Sequence, residues 1–178
     1  MAPPTERGTY YGRVVTLEEV TFIHAPRERC FDLARSIEVH LLGNTHFGEQ
    51  AVATSGVTTG LIDLGQSVTW RAKHLFVRQT LTSQITAMKP PESFQDSMIS
   101  GAFKFMQHDH FFEALSGNET RMNDVFRFSA PIPILGRIAE VCLLSHYMKM
   151  LLRERNAVIK QVAESEEWRR YLPLAETI

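Results

Sequence analysis

FQDSMISGAFKFMQHDHFF, residues 94–112, passes through a short polar turn into TRMNDVFRFSAP, residues 120–131. These two segments decide the fold. On extended strands, side chains alternate between faces, so Met106, His108, His110 and Phe112 share one face of the first segment. Asp124, Phe126 and Phe128 share one face of the second, and an odd-length loop brings both sets to the same side of a sheet. A face that mixes bulky aromatics with imidazole and carboxylate is neither an ordinary core nor an ordinary surface. It predicts the lining of a pocket.

Upstream, VVTLEEVTFIH (Val14 to His24) is rich in β-branched residues and reads as a first strand, ended by Ala25-Pro26. Proline suits the first turn of a helix, and Cys30, Phe31, Ala34 and Ile37 then form an apolar stripe that Leu41 and Leu42 continue. One helix, or two with a break between them, ends near Gly43-Asn44. From Val52 onward, strands are punctuated by Gly56, Gly60, Gly65, Lys89-Pro90-Pro91-Glu92, Gly101 and Ser116-Gly117-Asn118. The spacing predicts an antiparallel meander with strands over 56–61, 66–75, 77–88, 93–100, 104–115 and 120–130.

After Pro131 and Pro133 the period becomes helical. Ile134, Ile138, Val141, Ser145, Met148, Leu152, Ile159 and Val162 fall near one face, which predicts a long final helix over Leu135 to Val162. Leu135, Cys142, Leu144, Tyr147 and Leu151 add apolar surface to its first half, so the helix is expected to be buried deeply at its start and exposed later. Arg153, Glu154 and Arg155 read as a solvated face, and Glu164 to Arg170 as a charged, fraying end.

The 178 residues, 44% of them hydrophobic, suffice for one core. One domain is expected over 13–170, flanked by a disordered tail at 1–12 and a short tail at 171–178. A formal net charge of -1 gives no field that draws nucleic acid or an anionic membrane surface. Cys30 and Cys142 lie among apolar neighbours without C-x-x-C spacing, so they read as buried free thiols. MAPPTERGTYYG lacks the pattern of a secretory signal. Arg137, Glu140, His146 and Lys149 interrupt the longest apolar stretch, which disfavours a membrane span. A soluble, cytoplasmic protein is expected. Asn118-Glu119-Thr120 then reads as a hairpin tip rather than a glycosylation site.

A strand, short helices, a long meander and a final amphipathic helix are satisfied most simply by an α+β helix-grip, a curved antiparallel sheet wrapped around the last helix. Such a sheet cannot close fully on one helix, and the space left between them is a concave, mostly apolar site for a small molecule. VTFIHAPRERCFDLARSIEVH, GLIDLGQSVTWRAKH, FQDSMISGAFKFMQHDHFF and MNDVFRFSAPIPILG together resemble the SRPBCC superfamily, which includes START lipid-transfer domains, pollen-allergen-like proteins and polyketide cyclases and dehydrases. The resemblance spans nearly the whole chain. The later segments are similar to a bacterial subgroup with an Asp, a Gly-Pro turn, a His-x-His strand and a later Asp. Gly101-Ala102 stands here in place of Gly-Pro, and Met106 where Trp is common. The resemblance implies binding of a hydrophobic ligand. Catalysis does not follow from fold.

The predicted wall comprises Tyr147, Met148 and Leu151 from the helix and Trp70, Met98, Met106, Phe112, Phe126 and Phe128 from the sheet, with His108, His110, Asp96 and Asp124 as its polar points. His108 and His110 stand about 7 Å apart along one strand face, a spacing compatible with two metal ligands. A metal site needs three or four convergent donors and a supporting shell, and a sequence shows no convergence, so no metal or other cofactor is assigned. Pairing of His108 or His110 with Asp124 across the hairpin is the simpler reading, since buried polar groups need partners. That pair is either structural or orients a ligand head group.

A small hydrophobic or amphipathic ligand is thus the expected partner. The alternative from another class is a metal-free cyclase or dehydratase that uses His108 or His110 as general base, with Asp96 or Asp124 as its carboxylate. A protein-interaction module is the third reading. A register slip of one residue turns both histidines to solvent, and no oligomeric state can be read from the chain.

Overall fold

The computed structural model describes residues 14–43, 50–52, 56–74, 77–129 and 137–173. Seven strands form one curved antiparallel sheet: β1 (Val15–Ile23), β2 (Gln50–Ala51), β3 (Ser67–His74), β4 (Val77–Lys89), β5 (Ser93–Ser100), β6 (Phe105–Ala114) and β7 (Thr120–Ser129). Their order across the sheet is β1-β7-β6-β5-β4-β3-β2. Two short helices, α1 (Arg27–Ala34) and α2 (Ile37–Gly43), follow β1, and α3 (Arg137–Glu164) closes the concave face. This is the helix-grip expected from the sequence. Among the described residues, no helix is long and apolar enough to cross a membrane.

The expected tail at 1–12, the ends assigned to Ala130 and Leu135, and residues 174–178 lie outside the described residues, as do the side chains of His74 and Cys142. Within them, one predicted strand is absent. Residues 56–61 form bends, touching α1–α2 through an isolated Ser36–Leu61 bridge, and the sheet edge is completed instead by the two-residue β2. Gly56 has φ +89° and Gly60 φ +80°, values that a pleated strand cannot contain. Gly56 also packs so tightly on Ser67 that an added Cβ would fall 1.9 Å from its carbonyl oxygen.

Strict alternation sorts the meander. On β6, Met106, His108, His110 and Phe112 are buried on the concave side, while Asp109 turns to the other face and binds Arg127, Gln95 and Gln107. Between β4 and β5 the register skips Ile99 of β5 and Thr86 of β4, marking bulges, which bend a strand. The odd-length turn after β6 sets His110 directly opposite Asp124.

Two apolar clusters fill the grip. The larger joins Cys30, Phe31, Leu33 and Ile37 of the short helices to Phe94, Phe112 and Met122 of the sheet and Ile159 and Val162 of α3. Phe31 meets both Phe94 and Phe112 edge-on, with centroids 5.6 Å apart in each case. The smaller joins Met106, Phe126, Phe128 and Leu152.

Among the described side chains, from residue 143 onward, burial along α3 increases toward its end, opposite to expectation. From residue 143 to 151 its described side chains are exposed or half-buried, whereas Leu152, Arg155, Asn156, Ile159, Val162 and Ala163 are buried. Of the early apolar residues, Leu144 and Met148 touch the smaller cluster while staying only half-buried. The later half is tied down by Lys160 Nζ donating to Phe22 O at 2.5 Å and Arg29 Nη1 donating to Ala163 O at 3.0 Å. Residues 166–170 form a 3-10 turn rather than a frayed end. Trp168 there packs against the larger core, with the Arg29 guanidinium 4.3 Å above its ring.

Candidate functional site

The ladder register gathers four titratable side chains from three adjacent strands. Asp96 on β5 is opposite His108 on β6, and His110 on β6 is opposite Asp124 on β7. Asp124 is fully buried. Asn156 Nδ2 donates to its Oδ2 at 2.7 Å, and Arg155 Nη1 reaches Oδ1 at 3.4 Å. His108 Nε2 and His110 Nδ1 lie 3.0 and 2.6 Å from that same Oδ1. Neither ring nitrogen is aligned as a hydrogen-bond donor, so these are close electrostatic approaches.

The opposite edges of both imidazoles turn toward Asp96. His110 Nε2 is within hydrogen-bond distance of Asp96 Oδ1 at 3.2 Å, with the donor set by the tautomer, and His108 Nδ1 is 4.0 Å away. Phe94 stacks on His110 with centroids 4.1 Å apart, and Phe126 meets His108 edge-on at 5.2 Å. These aromatic contacts hold the rings in place.

Burial, reinforced by the neighbouring His110, pushes His108 down to about 4 against the opposing pull of Asp124 and Asp96. His108 is therefore neutral at neutral pH. Burial raises the Asp124 carboxyl, but the close approach of both imidazoles outweighs it and holds the group well below the ordinary carboxylate range. Asp96 is lowered in the same way, by its His110 hydrogen bond and by the charges of His108, His110 and Arg155 acting against burial. Both carboxylates are ionised.

Arg155, read from sequence as solvated, is only 7% exposed. It sits on the stripe of Met148, Leu152, Ile159 and Val162, and a charge on an apolar helix face must find a buried partner. That was the available signal. Its Nη2 donates to Ala34 O at 3.0 Å. Gly43 at the end of α2 allows the close approach, because an added Cβ would stand 3.1 Å from Arg155 Cα.

Between sheet and α3 lies a cavity of about 350 Å³. Of the residues nominated from sequence, Trp70, Asp96, Met106, His108, His110, Phe126, Tyr147, Met148 and Leu151 line it. Asp124 lies behind the histidines, Phe112 is in the larger core, and Met98 and Phe128 pack in the smaller cluster. The wall also takes Leu81, Ile85, Phe94 and Phe103 from the sheet side and His40 from α2. His40 stacks on Trp70, with centroids 4.0 Å apart. Period-two alternation on β4 and β5 could have nominated Ile85 and Phe94; nothing local in the sequence pairs His40 with Trp70.

The helix-grip architecture is shared with solved START-like structures. A protein from Thermus thermophilus is similar over 85% of this chain and 100% of its own, with a TM-score of 0.65 at 17% identity. A START superfamily protein from Mycobacterium smegmatis matches 84% of this chain and 97% of its own (TM-score 0.64, 8% identity). An aromatase/cyclase from Streptomyces sp. R1128 matches 85% and 94% (TM-score 0.64, 12% identity). No family model and no curated protein matches the sequence. At these identities the likeness is one of fold.

Proposed function

We propose that the protein binds one small amphipathic molecule between sheet and α3. The carrying observation is a mostly apolar cavity of about 350 Å³ whose wall carries a polar cluster of Asp96, His108, His110 and Arg155. Cavities of this size and lining suit a compact ligand whose apolar body supplies affinity while a few polar contacts fix its orientation. Trp70, Met106, Phe126 and Met148 would hold the body. Arg155 and the imidazoles would meet an oxygen-rich head.

Native mass spectrometry of detergent-free protein, with extraction of any bound mass, tests this directly. A parallel fluorescence titration with 8-anilinonaphthalene-1-sulfonate should saturate at one probe per chain and be lost in Met148→Trp, which fills the cavity. A folded protein that shows neither bound mass nor saturable probe uptake would overturn the proposal.

The cyclase or dehydratase reading draws on the same histidines. Its support is an imidazole pair facing the cavity between two carboxylates. Against it, His108 held down to about 4 is a weak base near neutrality, and both nitrogens of His110 already face carboxylate oxygens. Binding is the reading the geometry favours.

A further inference from the structure

We propose that Asp96, His108 and His110 form a binding site for a divalent first-row transition-metal ion, with Asp124 orienting both imidazoles from behind. The three donor atoms, one from each residue, lie within 4.8 Å of one another. Asp96 Oδ1 is 3.2 Å from His110 Nε2 and 4.0 Å from His108 Nδ1. Donors around such an ion at about 2.0–2.2 Å stand roughly 3.0–3.5 Å apart, so adjustments of about 1 Å or less bring all three onto one centre.

Two carboxylates flanking two imidazoles suit a cation there. A neutral imidazole carries one N–H and one lone pair. The outer nitrogens, His108 Nε2 and His110 Nδ1, lie 3.0 and 2.6 Å from Asp124 Oδ1, so an ion at the centre would take the place of the proton that His110 Nε2 shares with Asp96 Oδ1 and accept the inner lone pairs. A metal-bound histidine characteristically gives its other ring nitrogen to a carboxylate, and here one carboxylate serves two histidines. Asn156 and Arg155 hold that carboxylate in turn. Because Asp96, His108 and His110 also line the cavity, further coordination positions open toward a ligand. Two imidazoles and one carboxylate suit zinc, iron, cobalt or nickel better than magnesium or calcium.

The competing occupant is a proton on His110 bridging Asp96 and Asp124. Untagged, chelator-stripped full-length protein titrated with Co²⁺ alone distinguishes them through visible d–d absorption, with Zn²⁺ calorimetry as the second readout. The proposal expects one ion per chain, a loss of affinity of about 100-fold or more in Asp96→Asn and His110→Ala, and a loss of about 10–100-fold in Asp124→Asn. The side chain of Asp96 is partly open to the cavity, so Asp96→Asn keeps the test alive if a histidine variant fails to fold; circular dichroism checks each. Folded wild-type protein with no Co²⁺ band and no Zn²⁺ heat overturns the proposal, as does binding that Asp96→Asn leaves unchanged. Neither result bears on uptake of the apolar probe.

Discussion

The Asp124–Arg155 pair can be isolated by a double-mutant cycle of Asp124→Asn and Arg155→Met. Asp124 is 0% and Arg155 7% exposed, and the charged atoms approach to 3.4 Å. At an effective dielectric of about 20, that separation corresponds to roughly 5 kcal/mol of attraction before desolvation is subtracted. Removing one partner strands the other charge in the interior, a loss of about 3–5 kcal/mol, whereas replacing both leaves no orphan charge. Each single variant should therefore lose about 3 kcal/mol or more in urea unfolding at pH 7.5 followed by far-UV circular dichroism. The double variant should fall at least about 2 kcal/mol short of the sum. The coupling should survive roughly 1 M salt, since screening scarcely reaches a buried pair. Losses that add to within about 0.5 kcal/mol would refute the pairing of Arg155 with Asp124 in the interior.

Phe31→Ala removes the ring that sits edge-on to Phe94 and Phe112 at 2% exposure, and should destabilise the fold by about 3–5 kcal/mol in the same unfolding assay. The Cys30 thiol, pushed up to about 11 chiefly by burial, should resist iodoacetamide at pH 8 in the native protein and react once unfolded, as peptide mass mapping would record. Rapid native alkylation would contradict its placement. Gly56→Ala should cost at least about 2 kcal/mol, combining positive-φ strain with the clash on Ser67 O, and a neutral melting temperature would show that the loop is placed otherwise.

The meander was legible because its punctuation is chemically strong. Pro90-Pro91 and Gly101 bracket β5 so firmly that the predicted and observed limits coincide at Ser93–Ser100. Gly56 and Gly60 punctuate too, but their left-handed backbone breaks a strand from within rather than bounding one, and the β-branched Val57, Thr58 and Thr59 between them invited the wrong reading. The histidine–aspartate face followed from period two and an odd turn. Arg155 was hidden because local charge density, Arg153-Glu154-Arg155, resembles a solvated surface, and only the longer helical stripe reveals its inward position. The His40–Trp70 stack joins α2 to β3, a contact set by tertiary packing alone.

The two halves of α3 are held to different standards. Leu152, Ile159, Val162 and Ala163 are locked among close-packed neighbours, where a change of even one methylene is felt. Leu144, Tyr147, Met148 and Leu151 are half-buried and line the cavity, with Leu144 and Met148 also touching the smaller cluster. Replacements there alter the shape of the chamber more than the integrity of the molecule, so the binding preference can drift, or be re-engineered, along about two turns of helix while the scaffold stays fixed.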